Sequence, residues 1–377
     1  MNLLQHQSPA PDEHASCSRV RRSLICRGNA DRLPRRVGSR TMHTTPLTLF
    51  ALTLLALSTA HAAPKEKWVA VWTASTHGPY PSGNAVAQPD LSKILPNNTA
   101  EDQTLRMVFK PALWTHRVRL RFSNVFGAKP LILDGIYTGV HASAGSIMPG
   151  TNRPVLFSGR DSVTIPPGEL LFSDPIELPY ARSATNLIDR KMAVSFHVAG
   201  SSGPMTWHAK AMSTSYLSAN KAGSHGKEET ADAFPFTTTS WFFLDALEAM
   251  APADTKVVMG FGDSITDGTA STLNGDDRWP DFLAQRLRGT PHVVVINAGI
   301  GGNQVIGPAV YDKTKPTGGG PSALERLDRD VLSLSGITTV IWLEAINDLG
   351  AKATPEAIID GYRQGVERMK KKGIRVI

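Results

Sequence analysis

The chain has 377 residues, of which 41% are hydrophobic and 19% charged, and a formal net charge of +7. This is an ordinary globular composition, and the length is sufficient for two domains. The charge is uneven: residues 1–62 hold eight Arg against three acids, while the remainder holds 32 basic and 30 acidic residues. The body of the chain therefore lacks the basic balance of a nucleic-acid-binding protein.

Residues 1–62 read as a leader. Leu47–Leu57 is a short apolar run, LTLFALTLLAL, followed by Ala60-His61-Ala62. An apolar segment of that length before a small-x-small site is the pattern of a secretory signal peptide rather than of a membrane span. Met42 stands just before the run and is an alternative start to Met1. The Arg21-Arg22 pair is separated from the run by some twenty residues, so it is read as chance and not as a twin-arginine signal. Both cysteines, Cys17 and Cys26, lie in the leader. A mature chain from Ala63 would hold no disulfide, no thiolate zinc site and no lipid-bearing cysteine. No later segment is long and apolar enough to span a bilayer. The expected product is soluble and exported, either secreted or periplasmic.

Residues 63–250 read as an all-β sandwich. In Arg117–Phe122, Val118, Leu120 and Phe122 alternate with Arg117, Arg119 and Arg121, the pattern of a half-buried strand with a solvated face. Thr104–Phe109, Leu131–Val140, Ser162–Ile165, Met192–Val198 and Ser240–Leu247 are further predicted strands. Breakers such as Pro149-Gly150 and Pro166-Pro167-Gly168 separate them, as in a sandwich or jelly-roll. Ala219–Ala233 is polar and reads as an exposed loop.

The pattern changes at Ala251-Pro252-Ala253-Asp254, a candidate linker, and residues 251–377 form the second domain. Strands are predicted at Lys256–Gly260, His292–Asn297, Thr338–Glu344 and Ile374–Ile377. Between them come a helix at Trp279–Arg288, a helix capped by Ser322 and Glu325 that runs to about Leu334, and a helix that starts at Thr354-Pro355 and stops at Gly373. This alternation predicts a doubly wound parallel sheet.

Three polar clusters follow the first three of these strands. They are Gly262-Asp263-Ser264, Asn297-Ala298-Gly299-Ile300-Gly301-Gly302-Asn303, and Ala345-Ile346-Asn347-Asp348. In a parallel sheet such loops share one edge and can meet in one crevice. A serine hydroxyl there can attack an ester carbonyl. A glycine-rich loop allows close approach of backbone N–H groups to the oxyanion, and an asparagine amide supplies a further donor. Taken singly, the same residues are equally readable as turns and caps. Thr266, Asp267 and Asp276-Asp277-Arg278 lie near Ser264 in sequence and read as solvated turn residues that could border the cleft.

The segments GDSIT, NAGIGGN and EAINDL resemble the first three blocks of the SGNH (GDSL) hydrolases, over about residues 256–377. The resemblance is strongest to secreted esterases with an N-terminal β-sandwich, some of them linked to xylan breakdown. It implies a flavodoxin-like α/β/α sheet and hydrolysis of acyl or acetyl esters, on small molecules or polysaccharides, without metal or cofactor. It makes Ser264 the nucleophile, and the N–H groups of Ser264 and Gly302 with the amide of Asn347 the oxyanion hole. The absence of a Gly-x-Ser-x-Gly elbow argues against the ordinary α/β-hydrolase family.

Two features depart from the family pattern. Ala345 replaces the glycine that opens the third block, which would cost about 1 kcal/mol if the position requires positive φ. The family's Asp-x-x-His block is also missing after Asn347, the last histidine being His292. The chain is therefore expected to be a fragment, truncated in its fourth catalytic-domain strand and a poor catalyst as it stands. His197, His208 and His225 lie in the sandwich region and read as structural or surface histidines rather than substitute bases. A secreted, non-catalytic glycan-binding protein with a degenerate hydrolase domain is the alternative.

Overall fold

The computed structural model describes residues 65–182 and 184–377. The apolar run Leu47–Leu57, Ala60–Ala62, Met42, the Arg21-Arg22 pair and both cysteines lie outside the described residues, so the signal-peptide reading has no structural counterpart here. No helix among the described residues is long and apolar enough to cross a membrane.

The first part of the chain is β-rich. Its principal strands are β1 (Glu66–Thr73), β2 (Glu101–Phe109), β3 (Arg117–Ser123), β4 (Leu131–Val140), β5 (Met192–Ser201) and β6 (Leu244–Pro252). One antiparallel sheet has the order β1-β6-β3, extended by Leu170–Phe172 and Ile176–Glu177 on β3. A second contains β2-β5-β4, flanked by Ser215–Leu217 and Phe236–Thr238 on one side and by Arg153–Pro154 and Ser162–Ile165 on the other. Phe122 of the first sheet meets Phe196 of the second edge-on, with ring centroids 5.3 Å apart. The core runs through both sheets and into the rest of the chain without a break. The segment expected as one strand at Ser240–Leu247 divides at Phe243, whose φ is +58°. Trp241–Phe242 then pairs with Trp207–His208, and β6 begins at Leu244. Ala219–Ala233 forms no strand or helix, as expected of a polar loop.

The alternating pattern of β3 was expected to leave its arginines in solvent; Arg117 is exposed, and the structure corrects the expectation for Arg119 and Arg121. Arg121 is only 2% exposed and forms two contacts with the Asp245 carboxylate, at 2.8 and 3.2 Å. Arg119 donates to Glu248 of β6, directly opposite it in register, and its guanidinium lies over Trp68 and Phe172. The reason is that this face is an internal surface. Arg121 also reaches Ser333 Oγ and the Arg329 carbonyl, and Glu248 accepts from Ser335 N and Oγ. Charged side chains can line a buried face when carboxylates and carbonyls stand opposite them.

Only Ala253, Asp254 and Thr255 separate β6 from the next strand, β7 (Lys256–Gly262). From there the elements alternate: α1 (Ser264–Asp267), α2 (Trp279–Leu287), β8 (Val293–Gly299), α3 (Ala323–Leu327), β9 (Ile337–Leu343), α4 (Ile346–Gly350), α5 (Pro355–Lys371) and β10 (Arg375–Val376). The four strands form a parallel sheet in the order β8-β7-β9-β10. Ser322 caps α3 by accepting from Glu325 N, and a π-helical turn at Asp328–Leu332 continues it. Thr354 caps α5 by accepting from Ala357 N, with Pro355 in the first turn. Gly373 ends it at φ +75°.

The two parts pack directly on one another. β1 lies against β8, Ala70 N donates to the Ser335 carbonyl at 2.8 Å, and a Cβ on Gly336 would come within 2.7 Å of Val69.

Candidate active site

The register of the parallel sheet positions the site. Gly262 of β7 pairs with Gly299 of β8 and with Leu343 of β9, so the three strands end side by side. The loops carrying Ser264, Gly302 and Asn347 therefore open from one edge, where a parallel sheet places its reactive groups. Glycine is required at the strand ends. A Cβ on Gly262 would fall 2.0 Å from the Leu343 carbonyl oxygen, and one on Gly299 would fall 2.3 Å from Asp267 N.

Ser264 opens α1. Asp263 caps that helix, its carboxylate accepting from Ile265 N at 2.9 Å, and Gly268 closes it at φ +114°. Burial holds the Asp263 carboxyl above its ordinary pKa, against the Ile265 N–H and Arg326. Gly302 has φ +84°, a left-handed conformation that suits glycine. Asn347 lies in the first turn of α4 and donates from Nδ2 to the Asn303 carbonyl at 2.8 Å. An amide nitrogen carries two N–H groups, so one remains for a ligand. Ala345, which precedes α4, has φ +100°. The third loop does require positive φ, and alanine occupies it under strain.

Hydrogen bonds tie the three loops together. Ile300 N donates to the Gly262 carbonyl at 3.0 Å, and Asp263 N to the Leu343 carbonyl at 3.3 Å. Asp348, next to Asn347, accepts from Val305 N and Ile306 N in the second loop. Asn297 donates to the Thr266 carbonyl at 2.6 Å. Arg326 of α3 is buried beneath the first two loops and donates to the carbonyls of Gly262 and Ala298 and to Asn303 Oδ1, with Asp330 as counter-ion.

Sequence reasoning missed Arg326, Asp348 and Glu344. The only signal for Asp348 was its position beside Asn347. Glu344 directly follows β9. Trp342 Nε1 donates to its Oε2 at 2.7 Å, while its Oε1 is buried without a partner among the described residues. Burial raises its pKa to about 7, Arg326 and the Trp342 bond opposing and Asp263 and Asp348 reinforcing the rise.

One further expectation changes. Thr266 and Asp267 are not solvated turn residues but fully buried, because α1 packs against the second loop. Of the next loop, Asp276 stands near Lys110 and Lys191, Asp277 accepts from Thr272 N, and Arg278 donates to the Ala211 carbonyl. The three histidines weighed as substitute bases have both ring nitrogens occupied. His197 lies between Asp134 and Asp102, His225 between Glu228 and the Ala222 carbonyl, and His208 between the Ser75 carbonyl and Asp267.

Residues 261–377 match the family described as GDSL-like Lipase/Acylhydrolase, in agreement with the SGNH (GDSL) resemblance of the sequence. No curated protein matches the chain. Among solved structures, the chain is similar to AlinE4, an SGNH-hydrolase family esterase, with 20% identity, a TM-score of 0.26, and coverage of 33% of this chain and 59% of that one. It is also similar to an M. smegmatis aryl esterase, at 24% identity and TM-score 0.26, covering 30% of this chain and 54% of that one. The acetyl xylan esterase AlAXEase is 22% identical at TM-score 0.24, covering 32% of this chain and 56% of that one. The chain thus spans little more than half the length of the structures it matches.

Proposed function

We propose that this chain belongs to an exported serine ester hydrolase that acts on acyl or acetyl esters, including carbohydrate-linked ones. The observation that carries the reading is the alignment of Gly262, Gly299 and Leu343 at one sheet edge, with the loops after them cross-bonded to one another. The Ser264 hydroxyl attacks the acyl carbon, and the carbonyl electron pair moves onto oxygen. The N–H groups of Ser264 and Gly302 and the free N–H of Asn347 receive that oxyanion. Collapse expels the alcohol and leaves an acyl-serine, which water then cleaves.

His197, His208 and His225 have both ring nitrogens engaged, so none of the three is assigned as the base that takes the Ser264 proton and passes it to the leaving alcohol. The sheet is read as the flavodoxin-like core of the family and the β-rich region, residues 63–250, as a sandwich that shapes the cleft.

The test is a panel of aryl, acetyl-sugar and short-chain esters on the full-length gene product, with Ser264→Ala as control. Wild-type turnover should fall at least about 10³-fold in the variant. Absence of Ser264-dependent turnover on every ester would refute the reading and favour the glycan-binding alternative.

A further inference from the structure

Asp267 joins three parts of the chain. It lies on α1, three residues after Ser264. Its Oδ2 accepts the Gly301 N–H at 2.6 Å, a short charge-assisted bond to the residue before Gly302. Its Oδ1 lies 3.0 Å from Nε2 of His208, which belongs to the β-rich region. Both side chains are buried, at 1% and 2% exposure.

The ring nitrogens of His208 face acceptors only. Nδ1 faces the Ser75 carbonyl at 3.2 Å, and Nε2 faces the Lys210 carbonyl at 3.1 Å as well as Asp267. A neutral imidazole has one donor and one acceptor nitrogen, whereas here both nitrogens meet acceptors. The imidazolium, with two N–H groups, satisfies the geometry. The neighbouring His77 ring stands 5.9 Å away, and its nitrogens have no partner among the described residues. Lys210 adds a second cation: its Nζ donates to Thr269 Oγ1 at 2.6 Å and lies 3.0 Å from where a Cβ on Gly301 would be.

We propose that His208 and Asp267 are positioning residues, a buried ion pair that clamps the oxyanion loop to the nucleophile's helix and both to the β-rich region. The proposal rests on the Ser264 reading above. Its physical basis is the freedom of the loop. Two successive glycines give the Gly301-Gly302 peptide little intrinsic preference for one orientation. An oxyanion donor contributes fully only when it is held in place before the reaction. The Asp267 carboxylate fixes the N–H of Gly301, and with it the start of the peptide that leads to the Gly302 N–H. His208 in turn fixes the carboxylate.

The test uses Asp267→Asn, His208→Gln and the double variant in the full-length protein. The readouts are kcat and KM on p-nitrophenyl acetate and the amide resonance of Gly301. Each single variant should lower kcat about 10- to 100-fold with KM nearly unchanged. The double variant should be no worse than the poorer single, because the pair acts as one unit. Asp267→Asn should also move the Gly301 amide proton upfield, and Ser264→Ala should leave it in place. Wild-type turnover with unchanged kcat in both variants would overturn this proposal alone. Absence of Ser264-dependent wild-type turnover would overturn the site reading and the positioning role with it. Should the variants fail to fold, the nitrogen-15 shifts of His208 in the wild type decide: an imidazolium supports the clamp, and a neutral ring overturns it.

Discussion

The β-rich region and the parallel-sheet region both bury arginine, and they do so differently. Arg121 of β3 is met by a carboxylate on the adjacent strand, Asp245, and Arg119 by Glu248. Arg326 of α3 is directed mainly at backbone and amide oxygens, those of Gly262, Ala298 and Asn303, with Asp330 balancing its charge. The first arrangement joins strand to strand within one sheet and region to region. The second gathers the ends of two strands around the candidate site. The difference teaches that a buried cation can serve packing or preorganisation, and that its acceptors show which.

The comparison can be broken by experiment. The largest effect on stability is expected from Asp245→Ala, which leaves the Arg121 charge buried without its partner. Chemical denaturation should show a loss of about 3–5 kcal/mol, with ester turnover per folded molecule preserved. Arg326→Met should reverse that balance: a smaller loss of about 1–3 kcal/mol, from carbonyls deprived of a donor, but a fall in kcat of about 10-fold or more as the strand ends relax. Equal effects of the two variants on turnover would erase the distinction. Ala345→Gly relieves a residue held at φ +100° and should stabilise the protein by about 1 kcal/mol, read as a higher denaturation midpoint.

A further effect concerns pH. The pKa of Glu344 rises in the folded state from its ordinary value of 4.5 to about 7. Within that window the folded protein keeps a proton that the unfolded chain releases. Stability should therefore fall as pH rises through the window, and be greatest below it. Glu344→Gln should flatten this slope in denaturation curves recorded from pH 4.5 to 7. An unchanged slope would show that another group controls it.

The two regions were also unequally legible. In the parallel-sheet region the signals are local. Ser322 and Thr354 cap their helices through neighbours three residues away, and Gly302 meets a demand of the backbone at its own position. Strand-end clusters can therefore be recognised one at a time, and the parallel register brings them into line. In the β-rich region the partners lie far apart, Arg121 from Asp245 by 124 positions and His208 from Asp267 by 59. The alternation in β3 identified a strand and its two faces correctly. It could not show that the arginine face was covered, because the cover comes from Ser333, Ser335 and Arg329.

The order and spacing of Ser264, Gly302 and Asn347 after successive apolar strands, and the punctuation of the helices, were determined by the sequence alone, since periodicity and capping act within a few residues. The tertiary structure alone decided that Asp267 is buried, that Arg326 lies beneath the strand ends, and that His208 reaches Asp267. Each of these depends on segments distant in the chain sharing a water-excluded space, where a charge must find a partner that its own neighbours in sequence do not reveal.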